Sequence, residues 1–440
     1  MTDITEIYRP PRITLPTPDI DFATENARCG CVVTDLTAFR QQAGVSSRAI
    51  NPQTNYEAIA SSEPVFLTEE TVREIRQAVS SLHSVFENPV YKQEVLKGLP
   101  AIAQTQAETR SVLTGYDFHL TSGGPKLIEV NTNAGGALLV TSIMRAQQAC
   151  CQYIEDWING FGNDGAAEQR ILQSFRSEWQ RAGRAGQPAY LAIVDETPTQ
   201  QFLYPELCLF RELFQSSGIK AEIVAPEELQ FRQGRLMHGD QPVDMVYNRL
   251  TDFMLTASTS QPIAEVLADD AVVVSPSPRH HALIANKHNL ARLSDPAAQD
   301  RWGLSLSAHT HLAQILPPTV LVTRDNADEL WQSRKHWFFK PVAGYGSRGA
   351  YRGDKLTRRV WQQILAGNYI AQGFVPPGES TIMRDGVPVT MKLDIRAYVY
   401  DGEVQLLAAR RYQGQTTNMR TPGGGFACVY ATGAGPHVGN

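Results

Sequence analysis

The chain has 440 residues, enough for two or three packed units with a sizeable core. Its 42% apolar and 19% charged residues are typical of a globular protein, and its net charge of −5 gives no reason to expect nucleic acid or an anionic membrane as a partner. It has no apolar run of membrane-spanning length and no apolar signal-peptide core near its start. The cysteines lack zinc-site spacing and are too few for a disulfide scaffold, so we expect a reduced, cytoplasmic protein; they are Cys29, Cys31, Cys150, Cys151, Cys208 and Cys428.

The first part of the chain is predicted to be an extended arm followed by helices. Residues 1–65 are rich in Pro, Thr and Asn and have little periodicity, with a short helix expected at 34–44. Residues 68–97 have helical spacing that is interrupted at Asn88 and Pro89. Thr68 stands before acidic residues, which is a typical helix N-cap.

The stretch from Asp117 to Gly136 is predicted to be a β-hairpin with a polar face. Two alternating strands flank the turn sequence TSGGP. Glu129 and Asn131 are two apart and should project together, with Asp117 facing them across the hairpin. Two carboxylates and an amide are hard oxygen ligands that suit Mg²⁺, and we favour this reading over a hairpin with a merely solvated polar face.

Helices are predicted on the C-terminal side of this hairpin. Residues 137–160 are apolar at helical spacing and end at Gly160, and residues 165–183 form a second helical segment. Because the first helix follows the polar hairpin directly, its N-terminal amides are expected to point at a phosphate or a substrate anion.

From Pro188 onward, strands and helices alternate, which predicts a small parallel α/β sheet between residues 188 and 285. Its third strand runs into VYNRLTDF, so Asn248 and Arg249 stand at a carboxyl strand end, where open α/β sheets bind ligands. A surface arginine after a strand explains the pattern equally well. Asn133, in the turn after the hairpin, is a further candidate for substrate binding.

The sequence HWFFKPVAGYGSRGAYR, residues 336–352, predicts a phosphate-binding loop. An aromatic strand delivers Lys340 to a loop of small residues, which are Gly344, Gly346, Ser347 and Gly349. Glycine lets backbone amides approach a phosphate, and the lysine adds a positive charge. The lysine precedes the glycines, so this is not a Walker A sequence, and we favour phosphate binding over a simple glycine-rich turn.

These motifs resemble those of one enzyme family. IEVNTNAGG at 128–136 resembles the metal motif of the ATP-grasp ligases, and Asp117 matches their third metal ligand. The motif stands early in the chain and the nucleotide-binding stretches stand late, an order similar to the circularly permuted ATP-grasp of eukaryotic-type glutathione synthetases. Arg110 and Ser111 match an Arg-Ser pair of that family. One departure is Gly344, where those synthetases have a Glu four residues after the lysine.

The resemblance implies further nucleotide contacts. Lys287, at a helix start, is similar to the lysine that reaches the α-phosphate, although such a lysine on its own is usually solvated. NYIAQGFVPPGES, residues 368–380, resembles the hinge strand that meets adenine, which assigns Gln372, Phe374 and Val375 to the base and Glu379 to the ribose. Read without the resemblance, this stretch is an ordinary strand followed by a turn.

Residues 392–425 resemble bacterial ATP-grasp peptide ligases that extend protein tails. DIRAYVYDGEVQLLAARRY is a hairpin with its turn at Asp401 and Gly402, and Asp394 and Arg396 share a face. The resemblance assigns Arg410 or Arg396 to the transferring phosphoryl group, with Arg411 on the opposite face. The loop that follows could close on the acceptor through Asn418 and Arg420, with glycines as its hinge.

We therefore predict an α/β (α+β) protein with a permuted ATP-grasp fold and a small parallel α/β substrate domain placed within it. The predicted divisions are 1–110, 111–185, 186–285 and 286–440. The predicted activity is Mg²⁺- and ATP-dependent joining of a small carboxylate to an amine (or thiol) through an acyl phosphate. Arg110 and Arg249 are predicted to anchor substrate carboxylates, and Arg110 is predicted to be catalytic together with Arg396 and Arg410. A phosphotransferase and a non-catalytic ATP-binding module are the alternatives. Family analogy alone suggests a homodimer.

Overall fold

The computed structural model describes residues 32–35, 37–39, 59–61, 63–105, 108–149, 166–344, 349–384 and 387–432. Its strands, in chain order, are β1 Val32–Thr34, β2 Val65–Thr68, β3 Thr114–Thr121, β4 Gly124–Asn131, β5 Gln147–Ala149, β6 Tyr190–Val194, β7 Lys220–Val224, β8 Leu229–Arg232, β9 Arg235–His238, β10 Gln241–Pro242, β11 Met245–Asn248, β12 Val273–Ser275, β13 Thr319–Leu321, β14 Trp337–Pro341, β15 Tyr351–Arg352, β16 Tyr369–Gly373, β17 Gly378–Arg384, β18 Val387–Tyr400, β19 Glu403–Tyr412 and β20 Gly425–Thr432.

The principal helices are α1 Glu69–Phe86, α2 Pro89–Leu96, α3 Ala137–Arg145, α4 Ala166–Arg181, α5 Tyr204–Ser216, α6 Gln261–Ala268, α7 His288–Leu293, α8 Pro296–Arg301, α9 Leu306–Ile315, α10 Ala327–Gln332 and α11 Arg358–Ala366. None of these helices is long and apolar enough to cross a membrane.

A largely antiparallel sheet forms the centre of the protein. Its strand order is β2-β20-β19-β18-β3-β4, and β17 pairs with the extended first half of β18. The predicted hairpin is confirmed as β3 and β4, and Asp117 lies directly opposite Glu129. The register shifts immediately beyond this pair, because Phe118 pairs with Leu127 and Ile128 is left over as the extra residue of a β-bulge.

Side-chain alternation gives the central sheet a hydrophobic core on each face. Tyr398 and Phe426 pack with α3, α4 and α5 on one side. Phe118 and Ile395 pack with α1 and α2 on the other side. On β18, Asp394 and Arg396 are an even number of residues from Tyr398, and Asp117 pairs with Arg396 from the neighbouring strand β3. These polar side chains therefore share the face of the first core.

The predicted parallel sheet is present between residues 190 and 275. Its strands are ordered β12-β11-β6-β7, and each neighbouring pair is parallel. Asn248 ends β11, as the sequence predicts, and Arg249 follows it. The central strand β6 is buried along its whole length because both faces are covered, whereas the edge strand β7 carries Lys220 and Glu222.

A second antiparallel sheet, ordered β13-β16-β14-β15, carries the late motifs. β14 delivers Lys340, and the strand containing Gln372 is its neighbour β16. This sheet has a small core of its own, in which Phe339 packs edge-on against Trp361 of α11 at 5.4 Å between ring centroids.

Local signals for helix ends are confirmed. The Thr68 side chain accepts a hydrogen bond from the amide of Thr71 at the start of α1. Asn88 ends that helical run and caps the next, accepting from the amides of Val90 and Tyr91.

The segment after the hairpin differs from its prediction in two ways. The helix ends at Arg145 because residues 147–149 form β5, which pairs with β1. Its N-terminus does not face a cavity. The carboxylate of Glu206, from α5, accepts hydrogen bonds from the amides of Gly136 at 2.7 and 2.8 Å and of Leu138 at 3.2 Å. An internal carboxylate thus occupies the position expected for a bound anion.

Several predictions fall outside the described residues. They include most of the arm at 1–65, the remainder of the predicted helix at 150–160, and the loop residues Gly346 and Ser347.

Gly136 is expected to be intolerant of a side chain. Its φ is +108°, and a Cβ there would lie 2.2 Å from the ring of Phe426. We expect Gly136→Ala to lower the free energy of unfolding by about 3 kcal/mol, through backbone strain and overpacking together.

The matched control is Gly234→Ala, because Gly234 also has a positive φ of +75° but no atom within 4 Å of the added carbon. We expect it to cost about 1 kcal/mol. Equal costs for the two variants in urea unfolding would contradict this account of Gly136.

Candidate active site

A cavity lies between the polar face of the central sheet and the second antiparallel sheet. The structure brings to it eleven of the predicted site residues, from chain positions far apart: Asp117, Glu129, Asn131, Lys287, Lys340, Gly344, Gln372, Phe374, Val375, Arg396 and Arg410. Residues 415–417 of the loop after β19 cover one side of it. The early hairpin and the late lysine strand therefore form one site.

The acidic part of the cavity is formed by the hairpin. The amide nitrogen of Asn131 donates to Glu129 Oε1 at 2.9 Å and to Asp117 Oδ2 at 3.1 Å. Burial disfavours the charged form of Glu129, but Lys287, Lys340, the Asn131 hydrogen bond and Arg410 outweigh burial and lower its pKa to about 2. Glu129 is therefore an anion at every pH at which the protein would be assayed.

The two lysines stand on the opposite wall. Lys340 Nζ donates to the carbonyl oxygen of Ile128 at 2.7 Å and to Gln372 Oε1 at 2.8 Å. Lys287 Nζ donates to the carbonyl oxygen of Gly344 at 2.6 Å and lies 3.6 Å from Glu129 Oε2. Burial lowers the pKa of Lys340 to about 8, although Glu129 partly offsets this effect. The bulged residue Ile128 thus contributes a backbone acceptor to the site.

Two arginines complete the cationic part. Arg396 Nε and Nη2 donate to the two oxygens of Asp117 at 2.7 and 2.8 Å. Arg410 Nε donates to Asp394 Oδ1 at 2.6 Å, and its Nη2 lies 2.9 Å from Asp117 Oδ2. Burial alone would lower the pKa of Arg410, but Asp117 and Asp394 raise it above its ordinary value. Both arginines are permanently charged.

Arg411 points to the other side of the sheet, as predicted. Its guanidinium donates to Ser61 Oγ at 2.9 Å, to the carbonyl oxygens of Glu63 and Pro64, and to Ser380 Oγ. It secures the segment before β2 and takes no part in the cavity.

The strand end at residues 373–375 keeps free backbone groups. The backbone N–H of Phe374 donates to the carbonyl oxygen of His336, and the carbonyl oxygen of Val375 accepts from His119 Nδ1 at 2.8 Å. Within the described part of the chain, the Phe374 carbonyl and the Val375 N–H have no partner. The segment therefore offers one donor and one acceptor side by side, which is the pair that an adenine edge requires.

The donor set suits a hard cation that keeps other ligands. Among the described residues, no three or more His, Cys, Asp or Glu side chains are arranged to hold a metal ion. Glu129 and Asn131 supply hard oxygen atoms that fit Mg²⁺, whose coordination would be completed by phosphate and water oxygens.

Arg110 is not at this cavity, contrary to its predicted role as a catalytic and substrate-binding residue. Its guanidinium is bound by Asp401 and Glu87, each at 3.2 Å. Asp401 is five residues beyond Arg396 in the β18–β19 hairpin. At about 3.3 Å per strand residue, Arg110 therefore contacts the sheet roughly 16 Å from Arg396. Arg110 secures the hairpin turn of β18 and β19.

Asn248, Asn133 and Arg249 are committed to structural contacts. Asn248 Nδ2 donates to the Pro276 carbonyl, and its Oδ1 accepts from the amide of Leu250. Arg249 Nη1 donates to the carbonyls of Asn133 at 2.8 Å and Ala134 at 3.3 Å. Asn133 in turn donates to the Leu250 carbonyl. These contacts join the parallel sheet to the turn after β4, and none of the three residues lines the cavity.

The remaining predicted residues lie at the margins. Glu379 is exposed on β17 and does not line the cavity. Asn418 and Arg420 are exposed in the loop after β19, where Arg420 stacks over Phe202 at 4.6 Å. Gly349 has a positive φ and lies near the Tyr369 hydroxyl.

The sequence reasoning assigned no role at the site to His119 or to Asp394. His119 lines the cavity beside the free backbone groups, and burial lowers its pKa. Its position two residues after Asp117 on one strand was the signal that could have identified it. Asp394 holds Arg410 and accepts from Thr417 Oγ1 at 2.9 Å, so it links the arginine to the covering loop.

No protein-family model and no curated protein sequence matches the chain significantly. Solved structures do match. The chain superposes on a glutathione synthetase-like effector from Globodera pallida in its apo form with a TM-score of 0.53 and 11% identity, covering 84% of this chain and 89% of that one. A gamma-glutamylcysteine synthetase-like protein from Methylobacillus flagellatus gives 0.44 and 9%, covering 81% and 86%.

The ATP-grasp ligase PsnB, solved with a precursor peptide variant, Mg and ADP, gives a TM-score of 0.30 and 12% identity, covering 54% of this chain and 88% of that one. The argument rests on the first of these structures, whose similarity extends over most of both chains. The chain therefore shares the fold of this glutathione synthetase-like effector, which confirms at the level of the fold the resemblance to glutathione synthetases noted in the sequence.

Proposed function

We propose that the protein is an ATP-dependent ligase that joins a small-molecule carboxylate to an amine. The observation that carries the proposal is the single cavity in which two lysines and two arginines face the Glu129 and Asn131 pair. Four cations, Lys287, Lys340, Arg396 and Arg410, meet three carboxylates, Asp117, Glu129 and Asp394. This excess of positive charge suits a polyanion such as a triphosphate.

The free backbone pair at Phe374 and Val375 gives the nucleotide its direction in this proposal. The base would lie at this end, beside His119, and the phosphates would extend toward Lys340 and Lys287. Asp117 lies two residues before His119 on β3, so the strand runs from the proposed phosphate end to the proposed base end. The phosphates would then arrive at Glu129 and Asn131.

Glu129 and Asn131 are the proposed holders of Mg²⁺, which would neutralise charge on the phosphate oxygens. Lys287 and Lys340 would neutralise the remaining phosphate charge from the opposite wall. Arg410 keeps its Nη1 without a partner in the described residues, so it can donate two hydrogen bonds to a transferring phosphoryl group or to the substrate carboxylate.

The proposed reaction has two steps. A substrate carboxylate oxygen attacks the γ-phosphorus, the bond to the β-phosphate oxygen breaks, and ADP leaves. The amine then attacks the acyl carbon of the acyl phosphate, inorganic phosphate leaves, and the amine gives up a proton as the amide forms. Catalysis of this kind needs positioning and charge neutralisation more than covalent help from the protein, which the fixed cations can supply.

The covering loop is the part of the site where an acceptor would enter. Thr416 and Thr417 line the cavity, while Arg420 of the same loop contacts Phe202 beside the parallel sheet. The acceptor would therefore be bound between this loop and the parallel sheet.

The proposal is tested by measuring ADP release with Mg²⁺, ATP and a panel of amino acids and short peptides. We expect release that requires both a carboxylate and an amine, and trapping of the acyl phosphate as a hydroxamate when hydroxylamine replaces the amine. Glu129→Gln should lower turnover by 100-fold or more, because it removes the anionic oxygen facing the lysines. Glu403→Gln, an exposed carboxylate at the start of β19, is the control and should be unaffected.

The alternatives give different products. A phosphotransferase would release ADP with a stable phosphorylated product and no hydroxamate. A non-catalytic module would bind nucleotide without releasing ADP, and either result would refute the ligase.

Nucleotide affinity is expected to depend on the charge of Lys340. Its pKa of about 8 means that it loses its proton in the free protein as the pH rises through 8. Only the protonated form attracts phosphate, so the dissociation constant for ADP should rise between pH 7 and pH 9, approaching about tenfold per pH unit for a single group.

Lys340→Met should weaken ADP binding at pH 7 and abolish this rise, whereas Lys335→Met, on the exposed turn before β14, should leave both unchanged. Calorimetric titrations at several pH values provide the measurement. A dissociation constant that stays flat for the unaltered protein would argue against Lys340 as a phosphate contact.

A further inference from the structure

Asp117 is surrounded by nitrogen donors. It is 1% exposed, and Arg396 donates to its Oδ1 at 2.7 Å and to its Oδ2 at 2.8 Å. Arg410 lies at 2.9 Å from Oδ2, and the Asn131 amide donates to the same atom at 3.1 Å. A carboxylate has about four acceptor positions, so these four contacts use its capacity.

Ligation of a cation by Asp117 would therefore displace a guanidinium group. That group is buried, since Arg396 is 7% and Arg410 8% exposed. Removing the counter-ion of a buried charge is strongly unfavourable. Asp117 is thus a poor metal ligand in this setting, although the sequence resemblance assigns it that role.

Glu129 and Asn131, unlike Asp117, keep oxygen atoms that are available to a ligand. The side chain of Glu129 is 27% exposed, and among the described residues its Oε2 makes one ion pair, with Lys287 at 3.6 Å. The amide oxygen of Asn131 has no partner within the described ranges of the chain. Both side chains line the cavity, so both can offer oxygen atoms to a cation without displacing a guanidinium group.

We propose that Asp117 is a positioning residue that holds the guanidinium groups of Arg396 and Arg410 together at the cavity wall, while the divalent cation is bound by Glu129, Asn131 and nucleotide oxygens. This inference rests on the proposed function and concerns the same site. The two arginines repel each other, and the shared carboxylate offsets that repulsion. In this arrangement Arg410 Nη1 has no hydrogen-bond partner among the described residues, so it is available to a ligand oxygen.

The test is manganese affinity, measured by electron paramagnetic resonance with the β,γ-imido analogue of ATP as nucleotide. We expect Glu129→Gln to weaken Mn²⁺ binding at least tenfold. Asp117→Asn should change it by less than threefold yet lower ATP turnover by at least 30-fold. Thermal unfolding of the same samples shows whether each variant is folded.

Equal weakening of Mn²⁺ binding by Asp117→Asn and Glu129→Gln would overturn the inference and leave the ligase proposal standing. Failure of the unaltered protein to bind Mn²⁺ with the nucleotide analogue would overturn both.

Arg396→Gln keeps the inference testable if Asp117→Asn does not fold, because it removes two of the four contacts of Asp117 without altering that residue. We expect Mn²⁺ affinity to stay within threefold and turnover to fall as in Asp117→Asn. A tenfold gain in Mn²⁺ affinity would mean that the freed Asp117 is a metal ligand, and would overturn the inference.

A double-mutant cycle separates positioning from a general structural effect. The turnover losses of Asp117→Asn and Arg396→Gln should be strongly non-additive, because the two side chains act as one unit. Glu129→Gln and Arg396→Gln should combine nearly additively. Additive losses for the first pair would contradict the positioning role.

Discussion

The buried ion network centred on Asp117 is the interaction on which the rest of the site depends. Side-chain contacts join three neighbouring strands, through Asp117 of β3, Arg396 of β18 and Arg410 of β19. Asp394 accepts a further hydrogen bond from Arg410 Nε. A buried network of this kind is costly unless every charge is paired, and here nearly every donor has an acceptor. The same contacts that satisfy the network also orient its cations toward the cavity.

The turn after β4 connects this network to the parallel sheet. Gly135 offers its carbonyl to Arg396 at 3.3 Å and to the Tyr398 hydroxyl at 2.8 Å. The neighbouring residues are held from the other side by Glu206 and Arg249. Burial raises the pKa of Glu206, which is offset in part by Arg249 and by the amides that it accepts from. The parallel sheet therefore acts on the site by holding this turn.

Sequence periodicity predicted the local part of this arrangement well. Alternation placed Glu129 with Asn131 and separated Arg410 from Arg411, because a strand has only two faces. It could not predict that Arg110 binds Asp401 or that Glu206 caps α3, since those partners are 291 and 70 residues apart in the chain. At residues 147–149 the predicted helix is replaced by β5, because pairing of β5 with β1 outweighs a helical pattern that no local signal interrupts.

The bulge at Ile128 determines how the ammonium group of Lys340 is solvated. By leaving the ladder, Ile128 turns a main-chain oxygen toward the ammonium group, and the side-chain amide oxygen of Gln372 is the second acceptor. The lysine is thus solvated by protein dipoles that are already aligned, in place of water that would have to reorient when an anion arrives. Little reorganisation energy is therefore needed when the charged lysine meets an anion, and the extra residue of the β-bulge makes this arrangement possible.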